Sequence, residues 1–397
     1  MINKKSILDV VEKTKDETIE IRRHFHKHPE LSFCEKNTME FICSVLDKNG
    51  IEYKSHIAGT GVVAIVKGEK ESREPKTLLI RADIDALPVD EKNTTEYTSL
   101  NPGVMHACGH DCHTAILLSV CKVINKLKGE FPGFVKFVFQ PGEETSGGAK
   151  PMIDEGVLLN PDVDACIALH VDTDIPTGSI RVKSGPMYAS PDDFKINVIG
   201  KGGHGAEPEK SINPILVCTD IVKKLSEITQ NQIKSNEKAV VTVCSIHAGT
   251  TSNVIPSNAE IVGTARSLTN EMRAFLKCRI GEIVNEVCDL YGAKYEYEFT
   301  ELYPPLINDK TIVEELCDVA ALYSGEIECM YGGEPTMAGE DFSYFTQSVP
   351  GAIFKLGCRN ENKNAIYPLH HNLFDVDEDC LKYGCILLSS FALDYLN

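Results

Sequence analysis

A chain of 397 residues, 42% hydrophobic and 25% charged, has the composition of a soluble globular protein and is too long for one ordinary core, so two domains are expected. Its formal net charge of −18 argues against nucleic acid or an anionic membrane as a partner. The start, MINKKSILDVVEKTKDETIE, lacks the apolar stretch of a signal peptide, and the apolar run CILLSSFAL is too short to span a bilayer. A cytoplasmic location is therefore expected, with the 15 cysteines mostly reduced, buried and inert.

Residues 7–29 carry apolar side chains at helical spacing and end at a proline, which predicts an amphipathic helix. TLLIRAD (77–83) reads as a buried strand, HTAILLSVCKVINKL (113–127) as a helix, GFVKFVFQ (133–140) as a strand, GAKPMIDEG (148–156) as a helical turn and ACIALHV (165–171) as another strand. Strands alternating with helices predict an α/β fold with parallel strands buried on both faces, whose sites lie beyond the strands' carboxyl ends. From about residue 190 the pattern changes. Strands at 192–200, 239–249, 258–266 and 293–301, with helices at 213–228 and 270–292, give the order β-α-β-β-α-β of a ferredoxin-like α+β unit. After Pro304 and Pro305 the chain returns to mixed α/β and ends on the apolar helix LKYGCILLSSFALDYL. The expected organisation is an insertion: residues 1–187 and 302–397 form one domain, and 188–301 form a smaller satellite.

Five polar clusters fall at strand ends or helix starts on this map: RADIDALP (81–88), CGH (108–110), QPGEET (140–145), His170 and PLHHNLF (368–374). Cys108 and His110 flank a glycine beside a helix N-terminus, where backbone amides favour a thiolate, and sulfur with imidazole suits zinc and its neighbours. On this pair alone a buried structural cysteine with a hydrogen-bonded histidine is an equal reading. Cys112 and His113 point into the helix and are taken as structural. Glu143 and Glu144 are adjacent at a strand end, so their side chains diverge. One can hold a metal while the other acts as general base, although a solvated turn is the commoner fate of such a pair. A Cys108 nucleophile served by His110 or His170 is the competing chemistry. The clustering of further ligand-type residues favours the metal.

The segments RRHFHKHPELSF, RADIDALP, NPGVMHACGHDCHTA, QPGEETSGGAKPMIDEGV, GGHGAEP, NVIPSNAEIVGTARS, MAGEDFSYF and LHHNLFDVDED, in order from residue 22 to 379, resemble the M20 metallopeptidases. More narrowly, they resemble the amidohydrolase branch of hippurate hydrolases, aminoacylases, auxin-conjugate hydrolases and N-acetyldiaminopimelate deacetylases. The resemblance implies a mixed-sheet, dinuclear-metal hydrolase domain with an inserted satellite domain that serves as lid or dimerisation unit. It implies two divalent ions, Zn2+ or Mn2+, held by Cys108, His110, Glu144, His170 and His370. Glu143 is then the general base, and Asp85 orients a ligand. His370 is preferred to His371 because the family motif sets its ligand four residues before an aromatic, here Phe374, although His371-Asn372 departs from the small residue and proline often found there. In the satellite, His204 is expected to reach the reaction centre from a partner subunit, and Asn253 and Arg266 to hold a substrate carboxylate; a surface loop histidine and a strand-end surface charge are the plain alternatives for His204 and Arg266. Gly339, Glu340 and Asp341 are expected to do no more than shape the crevice. The expected function is cleavage of an N-acyl amino acid to a carboxylic acid and a free amino acid by a homodimer. A short-peptide hydrolase, an N-acetyldiaminopimelate deacetylase and a non-catalytic ligand-binding relative are the alternatives.

Overall fold

Helix α1 (Lys4–Lys27) buries Ile7, Val11, Ile21 and Phe25 on one face, and its last turn carries His24, His26 and Lys27, which suit the negative end of the helix dipole. The structure, a computed structural model, describes residues 4–233 and 237–397. Next come α2 (Lys36–Lys48) and the antiparallel hairpin of β1 (Glu52–Ile57) with β2 (Gly61–Lys67). β3 (Thr77–Asp83) is buried at every position, as a strand covered on both faces must be. α3 (His110–Lys126), β4 (Phe134–Gln140), the short α4 (Ala149–Asp154), β5 (Ala165–Pro176) and β6 (Ser179–Val182) follow.

The chain then enters a second compact unit, Pro186–Ile307 together with Glu334–Ser343. Its strands β7 (Ser190–Ile199), β8 (Ala239–Ala248), β9 (Asn258–Ser267) and β10 (Lys294–Thr300) form a sheet ordered β8-β9-β7-β10, antiparallel throughout. Helices α5 (Pro214–Glu227) and α6 (Asn270–Tyr291) pack with it around Phe194, Ile196, Ile221, Ile261, Leu276 and Val284. Asn213 caps α5 and Thr269 caps α6, each accepting a backbone N–H of the first turn. The strand and helix order is the one expected. The unit also holds residues 302–307 and 334–343, which the sequence assigns to the larger domain. Backbone bonds explain the second segment: Thr336 N donates to Met187 O, and Ala189 N donates to Ala338 O, each at 3.0 Å. A return of this kind carries no periodicity of its own.

The first unit is completed by α7 (Lys310–Ala321), β11 (Glu328–Tyr331), β12 (Gly351–Arg359) and α8 (Asp379–Leu396). Its eight-stranded sheet runs β1-β2-β4-β3-β5-β12-β6-β11, and the four central neighbours β4, β3, β5 and β12 are parallel. The carboxyl ends of these four strands therefore open on one edge. β5 runs to Pro176 rather than 171, because its pairing with β12 continues past His170, so that His170 lies inside the strand. No helix among the described residues is long and apolar enough to cross a membrane.

Phe194 is a test of the second unit's core, being 1% exposed and lying against Gly263, where an added Cβ would approach its ring to 2.3 Å. Phe194→Ala is expected to cost about 3–5 kcal/mol and to lower the urea midpoint of the full chain. An unchanged midpoint would place Phe194 outside any packed core.

Candidate metal centre

β3 and β4 are parallel neighbours, so the turns beyond them leave the sheet side by side. The first turn carries Asp85 and the second carries Glu143 and Glu144. α3 starts at His110, three residues earlier than its apolar pattern indicates, because Gly109 takes a left-handed φ of 87° at its N-cap. A Cβ at Gly109 would also approach Val171 Cγ2 to 2.3 Å, so the position requires glycine twice over. Thr114 Oγ1 donates to Asp83 O at 2.9 Å and fastens the first turn of α3 to the end of β3.

Asp85 joins three segments. It accepts from Ser32 Oγ at 2.7 Å, from Glu144 N at 3.0 Å and from His110 Nδ1 at 3.1 Å. Burial opposes its charge, but the bonds from His110, Ser32 and Glu144 prevail and hold the carboxyl below its ordinary range. His110 Nε2 is buried without a hydrogen-bond partner; burial opposes a charge on this imidazole, but Asp83, Cys108 and Asp85 prevail and raise it well above its ordinary value, so a cation bound at Nε2 would take the place of a proton there. Glu144 Oε1 is likewise buried without a hydrogen-bond partner, within ion-pair reach of His110 Nε2 at 3.8 Å and His370 Nε2 at 3.4 Å. His170 donates from Nδ1 to Val171 O at 2.8 Å, and its Nε2 lies 3.5 Å from Cys108 Sγ. Burial, with His113 beside it, keeps His170 neutral.

Burial, reinforced by Glu144, pushes the Cys108 thiol well above its ordinary value. Of the two late histidines, His370 joins the cluster. It has φ 65°, and its N–H donates to Ala107 O at 2.8 Å. His371 stacks on Tyr367 at 4.8 Å and accepts the Leu373 N–H through Nδ1 at 3.1 Å.

Donor atoms within 4.8 Å of one another form the groups Cys108–His110–His170, Cys108–Glu144–His370 and His110–Glu143–Glu144. The first unit thus brings together all five expected donors, with Glu143 beside them. Two buried polar atoms lacking hydrogen-bond partners, in a sulfur, nitrogen and oxygen set, fit divalent cations of the zinc type. His113, taken as structural, uses both ring nitrogens: Nδ1 donates to Asp83 Oδ1 at 2.6 Å, and Nε2 accepts the Val171 N–H at 2.9 Å. Asp83 was not among the expected residues, yet it also accepts from Arg81 Nη1 at 2.7 Å and sits 3.6 Å from His110 Nε2. The period of two along RADID, which puts 81, 83 and 85 on one side, is the signal that finds it.

In the second unit, His204 pairs with Val254 in a two-residue ribbon, and Gly205 N donates to Asn253 O at 2.9 Å, so His204 and Asn253 are neighbours. Arg266 is not with them. It lies near the far end of β9, eight strand positions beyond Asn258, or about 26 Å. Glu340 and Asp341 are buried within the same unit's return segment.

Fold and donor set define a metal-dependent hydrolase. Residues 79–394 match the model of peptidase family M20/M25/M40, and the chain belongs to that family. It is 40% identical over 401 residues to thermostable carboxypeptidase 1 of Saccharolobus solfataricus, covering 98% of this chain and 100% of that one. It is 36% identical over 376 residues to the N-acetylcysteine deacetylase of Bacillus subtilis, covering 94% and 96%. The solved structure of the Bacillus subtilis YXEP protein, a dinuclear metal-binding peptidase from the M20 family, superposes with a TM-score of 0.85 at 33% identity, covering 97% and 99%.

His26, on the last turn of α1, is fully buried and lies behind the centre. Its Nδ1 donates to Asp111 Oδ2 at 2.7 Å, and Nε2 lies 3.2 Å from Glu91 Oε1. Burial and Arg22 oppose its charge, but Asp111 and Glu91 overcome them and raise it to about 9. The raised value means that its stabilising share is complete below about pH 6.5 and fades as pH rises through about 9. The unfolding free energy of the wild type is expected to fall between pH 7 and 10 by an increment, on the order of 3 kcal/mol, that His26→Gln lacks, read by urea denaturation at each pH. Parallel pH profiles for the two proteins would contradict a charged His26.

Proposed function

We propose that the protein hydrolyses the amide bond of N-acyl amino acids, releasing a carboxylic acid and a free amino acid. The observation that carries this reading is the convergence of Cys108, His110, Glu144, His170 and His370 around two buried polar atoms without hydrogen-bond partners, with a second carboxylate, Glu143, alongside. Two divalent ions, zinc or manganese, held by those five side chains would supply Lewis-acid polarisation of the amide carbonyl and a lowered water pKa. Glu143 takes a proton from the attacking water as oxygen bonds to the carbonyl carbon. It returns that proton to the amide nitrogen as the C–N bond breaks, so the amine leaves neutral. Asp85 keeps His110 in the tautomer that turns its lone pair inward.

In this reading Arg266 pairs with the substrate's α-carboxylate through its planar fork, being half-buried with no ion-pair partner among the described residues. Asn253 aids in holding that carboxylate, and His204 donates to the developing oxyanion. The same reading takes the protein as a homodimer in which His204 serves the partner's centre. All fifteen cysteines are free thiols, which supports a reducing, cytoplasmic setting. A short-peptide carboxypeptidase is the second reading, favoured by the name of the Saccharolobus solfataricus relative. Both readings cut an amide whose nitrogen belongs to an amino acid with a free carboxylate. A panel of N-acetyl, N-benzoyl and long-chain acyl amino acids, dipeptides and N-acetyldiaminopimelate separates them; turnover of none of these removes both.

Glu143→Gln is expected to retain metal and to lose roughly 100- to 10,000-fold in kcat, the range for a lost general base. Near-normal turnover would take that role from Glu143. Heterodimers of a His204→Ala chain with a Glu143→Gln chain are expected to recover activity that neither homodimer has. Confirmed heterodimers with no recovery would place His204 at its own subunit's centre.

A further inference from the structure

Arg22 has no exposure, and a guanidinium cannot shed its charge, so carboxylates must meet it. Three do. Nε donates to Asp111 Oδ2 at 2.8 Å, Nη2 to Asp375 Oδ1 at 2.8 Å and Nη1 to Glu378 Oε1 at 3.4 Å. Its Cζ lies 4.8 Å from the Tyr97 ring centroid, and Tyr97 Oη donates to Asp375 Oδ2 at 2.7 Å. Burial raises both aspartates, yet Arg22 heads the opposing causes at each, and both stay below the ordinary carboxylate range.

The places of these aspartates in the chain matter more than their charges. Asp111 adjoins His110 in the first turn of α3. Asp375 follows Phe374 on the loop that carries His370. That loop is also bound by Lys92 N to Asn372 O at 2.9 Å and by Asn93 Nδ2 to Phe374 O at 2.9 Å. Cys108 and His110 therefore come from one segment and His370 from another, more than two hundred residues later. Each of those segments continues into an aspartate gripped by the same planar ion. None of the Arg22 hydrogen bonds goes to a metal-donor side chain.

We propose that Arg22 is a positioning residue for the metal centre: by bridging Asp111 and Asp375 it sets the spacing between the Cys108–His110 turn and the His370 loop. The inference rests on the metallohydrolase reading of those donors. A fork with separate Nε and Nη2 donors reaches two carboxylates along fixed directions, which the point charge of lysine does not.

The test titrates apoprotein with Zn2+ by calorimetry for wild type, Arg22→Lys, Asp375→Asn and the triple variant Arg22→Met/Asp111→Asn/Asp375→Asn, which removes the cation together with both bridged carboxylates. Melting temperature, kcat and KM on an N-acyl amino acid are measured alongside. All three variants are expected to bind Zn2+ roughly 10- to 100-fold more weakly, the loss typical of a supporting shell. Their kcat should drop more than their KM rises. A residue that only stabilised the fold would lower the melting temperature while the folded fraction kept wild-type affinity and kcat. Wild-type Zn2+ affinity in Asp375→Asn or in the triple variant overturns the proposal. Failure of the wild type itself to bind Zn2+ would instead overturn the metallohydrolase reading.

Discussion

A buried polar atom left without a hydrogen-bond partner costs about 1–3 kcal/mol, and two such atoms, His110 Nε2 and Glu144 Oε1, stand 3.8 Å apart at this centre. Asp85 enforces the arrangement. By taking the His110 Nδ1–H it turns Nε2 to the inner side, and by taking the Glu144 N–H it fixes the turn that delivers the second carboxylate. Cations bound by both atoms, together with Cys108, His170 and His370, would repay that cost. The hydrolytic reading stands on this demand rather than on any single residue.

The topology makes the demand possible. Parallel β3 and β4 release Asp85 and the Glu143–Glu144 pair on the same edge, and the left-handed Gly109 starts α3 early enough that His110 belongs to its first turn. His370 also has a positive φ and is tied through its amide to Ala107, the residue before Cys108. Backbone of this kind is stored strain, and it occurs here where donors from distant segments must meet. The carboxylates around Arg22 and His26 extend the same logic one layer outward, with buried charges matched to charges.

Much of this was legible in the sequence. The continuous apolar run in TLLIRAD and period 3.6 in the segments at 213–228 and 270–292 gave this strand and these helices to within a residue or two, the strand because both its faces are buried and the helices because one face of each is. The donors declared themselves by residue type at element ends. The missed features are those without period or local contrast. Residues 36–67 form α2 and a hairpin whose edge strand β1 is never fully buried, so its pattern is faint. Residues 334–343 join the second unit through two backbone bonds that any side chains would permit. Asp83 looked like one more polar residue at a strand end. Nothing local marks Arg22 or Asp111 as a pair, although their 89-residue separation closes to a 2.8 Å ion pair.

The most direct check is to strip the chain of metal with a chelator and return Mn2+ or Zn2+ in measured increments. Bound metal per chain and hydrolysis of an N-acetyl amino acid are then recorded on the same samples. The account expects hydrolysis to be absent at the start and to saturate as occupancy reaches about two ions per chain. Full hydrolysis by metal-free protein, or no retained metal at any increment, would contradict it.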